Sequence, residues 1–223
     1  MAPETGYGDA LCQRFQSNVS CLNLAKGGRS SASYRAEGSW SGVVNTLSQK
    51  QHNQTTFVLI QFGHNDQPGK PGRSTDLTTE FPLNITNYVH DVQAAGAIPV
   101  LVTPLTRRSF QDTKLQNDLR AWAEATILVA EAEHVALLDL NADSFSAVQT
   151  MGSAMADTLA MAPPVVSNGD TVASKDRGYA YRGFDHTHLG SKGAQLFSAM
   201  VKNELITQVP VIASHVKEEP SLP

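Results

Sequence analysis

The sequence predicts an α/β fold built on a parallel sheet covered on both faces, and three observations lead there. Short apolar runs rich in β-branched residues alternate with longer stretches whose apolar residues recur at helical spacing. A chain of 223 residues, 41% of them hydrophobic, can bury one substantial core and gives no sign of two. The segments that carry chemistry lie just after strand-like runs or in a late loop, and ligands of open α/β sheets bind at the carboxyl ends of the strands.

Strands are expected at 20–24, 57–62, 98–103 and 135–140, each a compact apolar run bounded by polar or glycine-containing turns. Helices are expected at 9–16, 40–51, 81–95 and 113–134, and a last one at 191–205 follows Gly190. Gly96 suits the left-handed residue that ends the third of these, and Asp112 can cap the fourth. The stretch 142–184 starts as a helix and then passes through Pro163-Pro164, Asn168-Gly169 and a tyrosine-bearing loop. A loop of that length ending at a chemically active segment reads as a wall facing a substrate. The domain is placed at 1–208, with 209–223 as a Pro- and Glu-rich flexible tail.

A net charge of -4 and no basic stripe argue against a nucleic-acid partner. The longest apolar runs are too short to cross a bilayer, and no basic-then-apolar leader opens the sequence. Cys12 and Cys21 either form one short-loop disulfide or remain two buried thiols. Sequons begin at Asn18, Asn53 and Asn84, a mild pointer to secretion.

Three segments carry the chemistry. In Asp185-His186-Thr187-His188, an acid three residues before a histidine can hold the imidazole through Nδ1 and leave Nε2 to take a proton. The rival reading is a metal site of Asp185, His186 and His188, which lacks a clear further ligand. In Gly63-His64-Asn65-Asp66, directly after an apolar run, the Asn65 amide can donate to a developing oxyanion, or Asn65 and Asp66 can simply cap the turn. In Lys26-Gly27-Gly28-Arg29-Ser30-Ser31, a glycine N–H can approach a ligand closely, although such a pair is usually only a turn. The sequence has no G-x-S-x-G elbow, P-loop or HExxH helix, and Gly6-Tyr7-Gly8 follows no strand, so no cofactor is implied.

Taken together, in this order, these segments resemble the SGNH, or GDSL-type, hydrolase superfamily, most of all its rhamnogalacturonan acetylesterases. The likeness runs over nearly the whole chain. It implies a flavodoxin-like three-layer α/β/α fold with a parallel sheet, and hydrolysis of O-acetyl esters on a pectin-type carbohydrate. It also implies secretion and the use of neither cofactor nor metal. By the same likeness, Gly28 matches the glycine whose N–H enters the oxyanion hole and Asn65 its side-chain donor. Asp185 and His188 match the acid and base of the catalytic triad.

The family's first block, Gly-Asp-Ser-Thr after a hydrophobic strand, has no counterpart here and would fall immediately before Met1. The expectation is therefore that these residues lack the attacking serine and the interior first strand, and are nearly inactive by themselves. Each buried unpaired backbone group costs about 1–3 kcal/mol against a total stability of about 5–15 kcal/mol, so a marginal fold is also expected. Ser30 and Ser31 are the nearest substitutes for the nucleophile. The alternative is a non-catalytic carbohydrate-binding remnant on the same framework.

Overall fold

The computed structural model describes residues 6–50, 53–161 and 184–218. Its sheet has three parallel strands, β1 (Phe57–Ile60), β2 (Ile98–Val102) and β5 (Ala136–Leu138), in the order β1-β2-β5. Phe57 lies opposite Ile98, and Val100 opposite Ala136. A small antiparallel hairpin, β3 (Phe110–Gln111) with β4 (Lys114–Leu115), follows β2.

Helices cover both faces because each strand of a parallel pair returns through a crossover. On one face α2 (Ser31–Ala36), α3 (Ser39–Ser48), α4 (Glu80–Ala94) and α5 (Arg120–Glu133) surround Trp40, Phe81, Tyr88, Leu101 and Trp122. On the other, α1 (Gly8–Cys12), α6 (Leu140–Asp157) and α7 (Ser191–Gln208) pack Leu11, Val148, Phe197 and Val201 against Val100, Val102 and Leu138. Alternate residues of β2 thus feed opposite cores, which accounts for its continuous apolar character. This is the three-layer α/β arrangement that the pattern predicts.

Local signals set most ends. Ser30 caps α2 through a capping box with Ser33. Gly96 sits at φ +67 beyond α4, where the Ala97 N–H reaches back to the Val92 carbonyl at 3.0 Å.

Two expectations require correction. Residues 20–24 do not form a strand: Cys21 is tied to Cys12 by a disulfide, Asn23 bonds Asp9 and the Ala25 N–H, and Leu22 is 64% exposed. Side chains have taken the place of a ladder there. Among the described residues β1 pairs with β2 alone. The helix expected from 113 begins at Arg120, because Asp112, at φ +55, turns the β3–β4 hairpin instead of capping a helix. The glycine loop passes into a further helix, α2, which is not among those expected.

α6 occupies the first part of the 142–184 stretch, kinked at Gly152, while Pro163-Pro164, Asn168-Gly169 and the tyrosine-bearing loop lie outside the described residues. In the segment assigned to the tail, a 3-10 turn at Pro210–His215 packs on α7 and buries Ile212, and the Lys217 N–H donates to the Arg14 carbonyl.

Burial, with Asp143 and Asp139 nearby, raises the Glu204 carboxyl from 4.5 to about 7, and its Oε1 is buried without a hydrogen bond among the described residues. The folded chain then holds a proton that the unfolded chain has lost between about pH 4.5 and 7, so stability falls as pH rises through that window. Glu204→Gln is expected to stabilise the fold by about 1–3 kcal/mol at pH 8 and by little at pH 4.5. Urea denaturation at the two pH values measures this, and an equal effect at both would contradict it.

Candidate active site

Asn65 stands on the turn that leaves the carboxyl end of β1, Gly28 on the loop before α2, and Asp185 and His188 on the loop before α7. Beyond β1 the chain turns at Gly63, whose φ is +129 and whose missing Cβ would meet the Pro104 ring at 3.0 Å. That close approach lets residues 63–66 fold over the end of β2. Asp66 is completely buried. Its Oδ2 accepts the Gly63 N–H at 3.0 Å, and its Oδ1 accepts the Ser31 N–H and hydroxyl at 3.0 and 2.5 Å and the Thr75 hydroxyl at 3.2 Å. Burial raises its pKa while these donors pull it down, leaving it above the ordinary carboxylate value. Asp66 therefore joins the turn after β1 to the start of α2.

Asn65 and Gly28 are brought together by that joint. The Asn65 amide donates to the Arg29 carbonyl at 3.2 Å, so the side chain lies against the glycine loop. Gly28 has φ +77, and its carbonyl accepts from Arg73 Nη1 at 3.2 Å; the same nitrogen lies 3.4 Å from Asn65 Oδ1. Arg73 thus braces the residue whose N–H and the residue whose amide were both expected to hold an oxyanion.

The Asp185–His188 pair is formed as its spacing predicts. His188 Nδ1 lies 2.8 Å from Asp185 Oδ2, and the carboxylate's Oδ1 accepts the backbone N–H groups of Thr187 and His188 at 2.8 and 3.0 Å. Burial raises the Asp185 pKa, but the His188 ring and the two N–H groups outweigh it and hold the carboxyl at about 2. An ionised carboxylate only accepts, so Nδ1 carries the hydrogen and Nε2 of the neutral ring presents its lone pair.

Arg107 links this loop to the turn after β1. Its Nε donates to the Thr187 hydroxyl and its Nη2 to the His64 carbonyl, each at 3.2 Å. Lys70 also bonds the His64 carbonyl. Burial, then Arg107, Lys70 and His188, depress the His64 imidazole to about 3, so it is neutral at physiological pH. All four expected residues thereby belong to one connected edge.

Two alternatives change on this geometry. Ser30 and Ser31, the substitute nucleophiles, are buried and engaged: the Ser30 hydroxyl caps α2 and Ser31 is bound by Asp66 and by the Asn84 amide. For metal, His186 faces Asp157, with Nδ1 3.4 Å from Oδ1, while His188 faces Asp185. Among the described residues no group of three or more His, Cys, Asp or Glu is placed to hold an ion.

Sequence reading missed Asp66 as a joint, and Arg107 and Arg108 altogether. The available signal was two adjacent arginines five residues past an apolar strand, where solvated charge is the ordinary meaning.

Fold and side chains together define an α/β protein with an Asp185–His188 pair, Asn65 and the glycine loop along one sheet edge. The family model "GDSL-like Lipase/Acylhydrolase family" matches residues 2–196, and the chain belongs to that family. The "Probable rhamnogalacturonan acetylesterase YesY" of Bacillus subtilis (strain 168) is 26% identical over 215 residues, covering 96% of this chain and 89% of that protein. Rhamnogalacturonan acetylesterase RhgT of the same organism is 34% identical over 140 residues, 62% of this chain and 57% of that protein. A crystal structure of another Bacillus subtilis protein superposes with TM-score 0.71 and 21% identity, over 93% of this chain and 52% of that one, so this chain spans about half its length. A candidate SGNH hydrolase from Slackia heliotrinireducens gives TM-score 0.54 at 20% identity, over 89% and 90% of the two chains. These two likenesses bear on the fold.

Asp66→Ala would strand the Gly63 and Ser31 N–H groups in the interior at about 1–3 kcal/mol each. The expected loss is about 2–5 kcal/mol in chemical denaturation, and a loss below about 1 kcal/mol would show that the joint matters little.

Proposed function

We propose that this chain carries the proton-handling and charge-stabilising parts of a carboxylic-ester hydrolase that removes O-acetyl groups from a pectin-type carbohydrate. The observation that carries the proposal is the 2.8 Å contact of His188 Nδ1 with an Asp185 carboxylate held at about 2. Two relatives, one named a rhamnogalacturonan acetylesterase and one a probable rhamnogalacturonan acetylesterase, support the substrate class.

In this reading a serine hydroxyl attacks the acetyl carbonyl while His188 Nε2 takes its proton, and Asp185 stabilises the resulting imidazolium. The Gly28 N–H and the Asn65 amide hold the tetrahedral oxyanion. Collapse expels the carbohydrate oxygen, which recovers the proton from His188, and water repeats the cycle to release acetate. The Asn65 amide carries two N–H donors, so it can keep the Arg29 carbonyl with one and offer the other to the oxyanion.

In this reading the attacking hydroxyl is not supplied by residues 1–223. Ser30 and Ser31, the serines nearest the oxyanion donors in sequence, are committed to α2 and Asp66. Residues 1–223 alone are therefore expected to hydrolyse an aryl acetate only feebly. The same polypeptide joined to a strand bearing a Gly-Asp-Ser block should gain at least about 10³-fold, and His188→Ala in that version should remove the gain. Equal rates with and without the added block would refute the missing-nucleophile proposal. Binding of acetylated pectin without any gain in rate would favour the non-catalytic carbohydrate-binding reading.

Secretion forms part of the same proposal. The Cys12–Cys21 disulfide suits an oxidising compartment, and the sequon residues Asn18 and Asn53 are exposed. Asn84 instead donates its amide to Ser31 from within α4, so two glycans rather than three are expected. Mass spectrometry of protein expressed through a eukaryotic secretory route would count them.

A further inference from the structure

Arg108 is the largest fully buried side chain described, at 0% exposure, and it forms no ion pair within 4 Å among the described residues. A cation in that position has to be solvated by protein dipoles. Here the dipoles all come from the loop that holds the acid–base pair. Arg108 Nη2 donates to the Asp185 carbonyl at 3.0 Å and the His188 carbonyl at 2.8 Å, and Nη1 lies 3.4 Å from the Thr187 carbonyl. The Arg108 backbone N–H completes the set with the His186 carbonyl at 2.9 Å. Every carbonyl from 185 to 188 therefore points at one residue. Burial lowers the guanidinium pKa, while Asp185 and Asp157 act to restore it. The segment that carries Arg108 is itself fixed, because the Thr106 N–H donates to Ser144 of α6 at 3.0 Å.

We propose that Arg108 is the positioning residue of the Asp185–His188 pair: its planar fork gathers the carbonyls of Asp185, Thr187 and His188, beside the His186 carbonyl held by its backbone N–H, so that carboxylate and imidazole meet before any substrate arrives. This rests on the reading of that pair as acid and base. Gathering the carbonyls inward turns the Thr187 and His188 N–H groups toward Asp185 Oδ1, which fixes the carboxylate that in turn fixes the ring. Lysine keeps the charge but has one nitrogen and no planar fork, so it cannot reproduce this arrangement.

The test reads the His188 tautomer by long-range proton–nitrogen correlation across a pH titration, with exposed His90 as control. In the natural sequence, neutral His188 should be mainly the Nδ1–H form. In folded Arg108→Lys and Arg108→Met the Nδ1–H to Nε2–H ratio should fall several-fold, with His90 unchanged. A wild-type ratio in either folded variant would overturn the proposal, since a merely space-filling arginine leaves the tautomer alone. Should both variants fail to fold, amide exchange of the natural chain decides. The N–H groups of Arg108, Thr187 and His188 should exchange as slowly as those of the core strands, and exchange at exposed-loop rates would overturn the clamp. The tautomer is read without turnover, so failure of the clamp leaves the hydrolysis reading standing, and an absence of hydrolysis leaves the clamp standing.

Discussion

A charge taken out of water must be solvated by the protein, and that requirement organises the carboxyl edge of this sheet. Among the described residues, two fully buried ionisable side chains sit there, Asp66 and Arg108. Neither is balanced mainly by an opposite charge. Asp66 collects N–H and hydroxyl donors, and Arg108 collects carbonyls. Each consequently fixes the backbone of a segment distant in sequence, since a donor or acceptor left unpaired in the interior is costly.

The two anchors divide the work. Asp66 joins the turn after β1 to the start of α2, which sets Asn65 against the glycine loop. Arg108 gathers the loop that carries Asp185 and His188. Arg107, its neighbour in sequence, spans the two halves through Thr187 and the His64 carbonyl. Burial first, and then the cations Arg107 and Lys70, keep the His64 imidazole neutral.

The periphery follows a different logic. On the outer side of β1 no described strand continues the sheet, and residues 20–24 run without a ladder, tethered by the Cys12–Cys21 bridge and by Asn23. The apolar pattern of that segment resembles a strand because Leu22 and Leu24 alternate with polar residues, yet both are exposed. A period of two specifies a strand only where a neighbouring ladder and a covered face reward it.

What the sequence determined by itself was local or periodic. Alternating strand and helix periods gave the layered parallel sheet, and the i, i+3 spacing of Asp185 and His188 put the two side chains within reach of each other, because residues that close on a loop or helical turn can face the same way. The order of the glycine loop, Asn65 and the Asp–His pair was enough to suggest a common edge. Only the tertiary structure decided which polar residues hold that edge. Asp66 meets Ser31 across 35 residues and Arg108 meets the His188 carbonyl across 80. A side chain's partners at such separations are set by how the layers pack, and nothing in the identity of an aspartate or an arginine distinguishes a buried anchor from a solvated surface charge until that packing exists.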